Sequence, residues 1–185
     1  MSDTLAQGFW AWSLDRYARP GVEEALIALQ DRRGLDVCLL LWCAWCGERF
    51  DAVDPQAMAQ AVALARPWSR DVTGPLRAVR RALKTPSSEA ARAGAPILRE
   101  TVKKLELDAE RIAHAALADL AHAFAPRAEP PGLSDAQARA RRNFGTYLAA
   151  EGRDGEEADA ETRALLDALA ARLFACSGAR EGSNL

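Results

Sequence analysis

Apolar side chains recur along this chain at intervals of three and four residues, the spacing of one helix face. Leu5, Phe9, Trp10, Leu14 and Tyr17 form a first broad stripe, and Val22, Ala25, Leu26 and Leu29 a second. From Val37 to Cys46 the pattern changes: VCLLLWCAWC passes without one charged side chain. A helix over this stretch has no polar side, and such a helix is either buried all round or crosses a membrane. Asp36 before it and Glu48-Arg49 after it leave it far short of the roughly 20 apolar residues a bilayer requires. It is read as the central helix of a core that other helices cover.

Boundary signals divide the rest. Pro20 sets the backbone for a helix from Val22 to Arg32, Gly34 supplies its C-terminal cap and Asp36 the N-cap of the central helix. The short connection makes these two antiparallel neighbours. Asp54-Pro55 opens a fourth helix with Met58, Ala61, Val62 and Ala65 on its apolar face, interrupted at Arg66-Pro67. Thr73-Gly74-Pro75 should divide or kink the next run, Trp68 to Lys84. The longest helix, about Ile97 to Phe124, shows Leu98, Val102, Leu105, Ala109, Ile112, Ala116 and Leu120 as a core-facing stripe. The Pro-rich stretch APRAEPPGL reads as a linker. Beyond it come a weaker helix, Ser134 to Ala150, with Phe144, Tyr147 and Leu148 as its sizeable apolar residues, and a last one, Ala160 to Cys176. The expected layout is a helical core at 1–125, a linker at 126–133, a more loosely attached helical pair at 134–176 and a disordered tail at 177–185. The fold class is all-α, an irregular or orthogonal bundle of seven to eight helices around the central apolar one.

Composition agrees with the pattern. The 185 residues hold 40 alanines against 10 valines and isoleucines together, and alanine favours helices where β-branched residues favour strands. A net charge of -2 gives no global attraction to nucleic acid. The start, MSDTLAQGFWAWSLDRY, lacks the basic and apolar regions of a signal peptide. Three of the four cysteines crowd into the apolar helix, which suits a reducing compartment, so a cytoplasmic location is expected.

The segments YARPGV (Tyr17 to Val22), LQDRRGLDV (Leu29 to Val37) and LLLWCAW (Leu39 to Trp45), with LELDAER (Leu105 to Arg111) as a fainter echo, resemble the signature of a small family of uncharacterised proteobacterial proteins, a domain of unknown function. The resemblance covers roughly residues 9 to 125. It implies a compact helical bacterial protein and carries over no activity. The family has Asn where this chain has Cys38, so the resemblance implies no role for that thiol.

Candidate chemistry is sparse. Trp42-Cys43-Ala44-Trp45-Cys46 matches a redox WCxxC as letters, but that motif needs a strand before it and the first thiol at a helix N-terminus; here the pair lies late in an apolar helix and reads as packing. Cys38, Cys43, Cys46 and Cys176 match an iron–sulfur spacing whose clusters are held by loops. Glu106, Glu110 and His114 offer a weak metal stripe, read instead as a solvated charged edge. No cofactor, no metal and no catalytic residue is therefore expected.

Charge is more informative. Residues 66–84 hold six bases and one acid, and residues 151–167 seven acids and two bases, so the C-terminal segment is a candidate to cover a basic face of Arg70, Arg77, Arg80, Arg81 and Lys84. A second candidate is a pocket for a ligand or partner formed by Tyr17, Arg19, Gln30, Asp31, Asp36, Trp42 and Trp45. The expected function is a non-enzymatic cytoplasmic interaction or regulatory protein that binds another protein through a helical face. Two alternatives stand beside it: a binder of a small molecule or lipid-like ligand, or an enzyme, using the Trp-rich core; and RNA or ribosome association through the helix Arg66 to Lys84.

Overall fold

The computed structural model describes residues 2–50, 52–86, 89–121, 124, 132–153 and 160–175. The expected linker at 126–133, save its last two residues, and the expected tail lie outside them. The described chain is all-α: α1 (Ser2–Tyr17), α2 (Val22–Arg33), α3 (Val37–Arg49), α4 (Pro55–Trp68), α5 (Gly74–Ala82), the single turn α6 (Glu89–Arg92), α7 (Ala95–Leu120), α8 (Leu133–Ala150) and α9 (Ala160–Leu173). A π-helical turn, Ser69–Thr73, joins α4 to α5. With α4 and α5 taken as one rod and α6 set aside, seven rods make the bundle.

The caps read from sequence form as expected. Gly34 closes α2 in the left-handed region at φ 65°, and the Asp36 carboxylate accepts from Leu39 N–H at 3.1 Å. Pro67 lies within α4 without ending it, and the interruption expected at Thr73-Gly74-Pro75 is absorbed by the π turn. Proline lacks an N–H and crowds the carbonyl four residues back, and the wider π turn relieves this. Gly74 N–H reaches Ser69 O, five residues earlier, and a Cβ at Gly74 would lie 2.8 Å from that oxygen.

Every residue of α3 from Cys38 to Gly47 is buried. Trp42 Nε1 donates to Leu117 O of α7 at 2.8 Å, while Trp45 packs between Phe9 and Phe50 with ring centroids 4.8 and 5.4 Å away. Full burial of each tryptophan stabilises the fold by roughly 4 kcal/mol or more. Burial also pushes the Cys43 and Cys46 thiols up, away from the reactive thiolate.

The main cover of α3 is α8, which a search for large apolar residues undervalues. Its inward side is Ala136, Ala140, Asn143, Phe144, Tyr147 and Leu148, and the two alanines let the backbones approach. At the crossing, a Cβ on Gly47 would stand 2.8 Å from Ala140 N. Asn143, fully buried, donates to Cys43 O at 2.9 Å and accepts from Val53 N–H at 2.9 Å, tying α8 to α3 and to the turn before α4. Tyr147 accepts from Asp36 N–H at 3.0 Å. The pair expected to hang loosely shares one core with α3, α9 adding Leu166, Leu169, Ala170 and Leu173.

On α7 the expected stripe is rotated. Leu98, Leu105 and Ile112 are each about half exposed, whereas Val102, Glu106, Ala109, Ala113 and Leu117 face inward. Short side chains on that inner line allow α1, α4 and α5 to come close; Trp68 Nε1, for instance, reaches Ala109 O at 2.9 Å. No described helix is long and apolar enough to cross a membrane.

Two glycines separate close packing from intrinsic helix preference. Gly47→Ala must displace the α8 backbone and should lower stability by about 1–3 kcal/mol. Gly145, on the open side of α8 with nothing within 4 Å of a built Cβ, should gain about 1 kcal/mol as Ala. Urea unfolding measures both, and shifts of the same sign would contradict the α3–α8 geometry.

Candidate functional site

Where α1, α2, α5 and α7 meet beside the start of α3, they leave a groove of about 500 Å³. Its geometry starts from Glu106, which α7 turns inward although it is a carboxylate. Burying that charge is tolerated only with paired donors, and α5 supplies them. Arg77 Nε donates to Glu106 at 3.1 Å and its Nη2 to Glu110 at 3.3 Å; Arg80 donates to Glu106 through Nε and, at 3.3 Å, through Nη2. Across the opening, Arg81 donates to both Asp31 oxygens at 2.7 and 2.9 Å and so fastens α5 to α2.

Deeper in the groove lie His114 and Ser13. His114 Nδ1 sits 2.9 Å from Glu110 O. A carbonyl only accepts, so Nδ1 carries the proton and Nε2 accepts from Ser13 Oγ at 3.2 Å. Phe9 stacks on the ring at 4.5 Å and Trp10 meets it edge-on at 5.0 Å. Burial lowers the imidazole pKa to about 4, so the ring is neutral near pH 7. Burial and then Glu23 raise the Tyr17 phenol to about 12, which leaves it a neutral donor. Burial raises Glu110 too, with Arg77 opposing. Apolar groups complete the site: Val37, Cys38 and Leu41 on the α3 side, and the exposed Leu14, Ile27 and Leu107 at the rim.

Of the pocket residues expected from sequence, Tyr17 and Gln30 line this groove and Asp31 braces its edge through Arg81. The others are elsewhere. Arg19 donates to Leu173 O and Ala175 O at the end of α9, Asp36 caps α3, and Trp42 and Trp45 are enclosed in the core. The expected basic face divides as well: Arg77, Arg80, Arg81 and Lys84 line the groove, whereas Arg70 pairs on the surface with its neighbour Asp71. Between the basic and acidic segments the described residues show Arg66–Glu151 at 3.7 Å; Arg77, Arg80 and Arg81 turn to Glu106, Glu110 and Asp31 instead. The solvated edge read at Glu106 and His114 is in fact buried, at 6% and 4% exposure. Sequence reasoning missed Ser13, Trp10, Arg99 and Lys103. Ser13 and Tyr17, like Arg99 and Lys103, are four apart on one helix, a usable signal only once helix orientation is known. Among the described residues no group of His, Cys, Asp and Glu is arranged to hold a metal.

Residues 8–117 match a family described as a protein of unknown function, DUF2390. The chain belongs to this family. No curated protein and no solved structure matches it. Every residue lining the groove, from Trp10 to His114, falls within the DUF2390 match, while α8 and α9 fall outside it.

The neutral His114 makes stability depend on pH. An unfolded imidazole protonates near 6.5 and the folded one near 4. Between those values the unfolded chain takes up a proton that the folded chain refuses, so this contribution is complete above about 6.5 and is lost as pH falls toward 4. The loss should amount to about 3 kcal/mol. Glu110 acts in the opposite sense, since a raised folded carboxyl favours the folded state as pH falls, and it remains in a His114→Gln variant. Chemical denaturation from pH 7 to 4 should therefore show a shallower decline for His114→Gln than for the wild type; parallel curves would refute the assignment.

Proposed function

We propose that this chain is a ligand-binding protein of the cytoplasm whose groove takes a small organic anion with an apolar body. The observation that carries the reading is the convergence of buried polar groups (Ser13, His114, Glu106) and cationic side chains on one concave, partly apolar site. Clefts with a few converging polar groups and displaced pKa values are where small ligands bind. The lining carries Arg77, Arg80, Arg81, Lys84, Arg99 and Lys103 against Glu23, Glu106 and Glu110, so the local charge is positive in a chain whose net charge is negative.

The arrangement is less suited to the partner-protein surface expected first from sequence. Such surfaces place apolar anchors at the centre and polar groups on the rim, whereas here Leu14, Leu107 and Ile27 stand at the rim and buried polar groups share the floor with Val37, Cys38 and Leu41. It suits RNA still less. Trp10, the one tryptophan of the groove, has Arg111 4.9 Å over its ring and His114 at its edge, so it offers no free stacking platform.

Titration with anilinonaphthalene sulfonate and with its uncharged analogue phenylnaphthylamine tests this. The sulfonate should bind the native protein more tightly than the neutral dye, and a Lys84→Glu/Lys103→Glu double variant should weaken it at least about ten-fold with little effect on the neutral dye. Equal binding of the two dyes, or no response to charge reversal in a variant of unchanged circular dichroism, would reject the reading.

A further inference from the structure

The charges of the groove are ordered along it. Arg77 bonds to Glu110 and Glu106, and Arg80, one turn on, to Glu106, one turn back. Advancing along α5 while retreating along α7 means that the two helices run antiparallel, with rungs at 77/110 and 80/106. The same step back along α7 reaches Lys103, with Arg99 a turn further, and Lys84, in the turn that follows α5, lines the groove with them. Two Arg–Glu rungs are thus followed by side chains of like charge. Both lysines line the groove, both are exposed, and neither makes an ion pair with any described residue. Arg81 is held by Asp31, and Arg99 has the adjacent Glu100 at 3.3 Å.

The opposite end offers no free cation. Ser13 and His114 form a neutral pair, Val37, Cys38 and Leu41 are apolar, and the Tyr17 phenol stands beside the Glu23 carboxylate. A ligand lying along the groove meets two uncompensated cations at one end and a partly apolar floor without a free cation at the other.

We propose that the ligand is a phosphate monoester of an uncharged aromatic or aliphatic alcohol, its phosphate between Lys84 and Lys103 and its body directed toward Ser13. This rests on the reading of the groove as a small-anion site and narrows it. A phosphate monoester carries close to two negative charges near pH 7 and three terminal acceptor oxygens, which matches two free ammonium groups and the nearby Arg81 and Arg99 donors. A carboxylate or sulfonate carries one charge and leaves one lysine uncompensated. A second anionic group on the body would enter a region that offers no free cation and holds the Glu23 carboxylate.

The test is calorimetric titration with naphthyl phosphate, naphthalene sulfonate and inorganic phosphate, which separate head charge from body, using wild type and the Lys84→Met and Lys103→Met variants. Naphthyl phosphate should bind at least about ten-fold more tightly than either other probe, and each single variant should abolish its advantage over the sulfonate. Equal affinity for phosphate and sulfonate, or a preference that survives both substitutions, would overturn the phosphate assignment while leaving the anion groove standing; failure of both aromatic anions to bind would remove the groove reading itself. Inorganic phosphate binding as tightly as the ester would overturn the role given to the floor. Co-sedimentation with phosphatidate vesicles is the last arm, and binding confined to vesicles would overturn the assignment to a soluble ester.

Discussion

From Cys38 to Gly47, α3 presents apolar surface in every direction, and water is an unfavourable neighbour for all of it. Enclosing such a helix takes more than one partner, and the bundle supplies them from both ends of the chain: α1, α2, α4 and α7 from the first two thirds, and α8 from the last. Most polar atoms of this interior have partners in place, Trp45 Nε1 being an exception. The Asn143 amide satisfies Cys43 O and Val53 N–H, and Trp42 Nε1 uses Leu117 O at the end of α7. Each such bond fixes a direction that packing alone would leave free.

The groove follows from the same enclosure. Because α7 turns its short side chains toward the core, it also turns Glu106 inward, and α5 must bring Arg77 and Arg80 to that carboxylate. The π turn between α4 and α5 lets this happen, carrying a chain with two prolines onto the flank of α7 as a continuous rod. What remains between the charged flank and α1 is a cleft with fixed guanidinium groups along one wall and a neutral imidazole on the floor.

The sequence made α3, its caps and the all-α class legible because those features are local: an unbroken apolar run, an Asp before it, a glycine after α2. The stripe on α7 was misplaced because its large side chains, Leu98, Leu105 and Ile112, drew attention from the alanines that do the packing. The same bias hid α8, whose contact with α3 depends on Ala136, Ala140 and Gly47, residues that matter through how little room they occupy. For the site, the cations of α5 were visible as a run. Their meaning was not, since it depends on which α7 residues stand opposite them, a relation between positions 26 to 33 apart that no periodicity encodes.

The pairing of Gly47 with Ala140, and of Cys43 with Asn143 a hundred residues away, also bears on the order in which the molecule is made. The groove walls lie between residues 10 and 114 and leave the ribosome first. Their central helix emerges with its flank toward α8 still uncovered, and that flank stays open until the chain has grown past Tyr147. Domains fold from the N-terminal side during synthesis, and exposed apolar surface in the interval invites aggregation. The nascent chain thus carries a sticky intermediate whose lifetime is set by elongation; α8 covers the open flank of α3, and α9 completes the core after it.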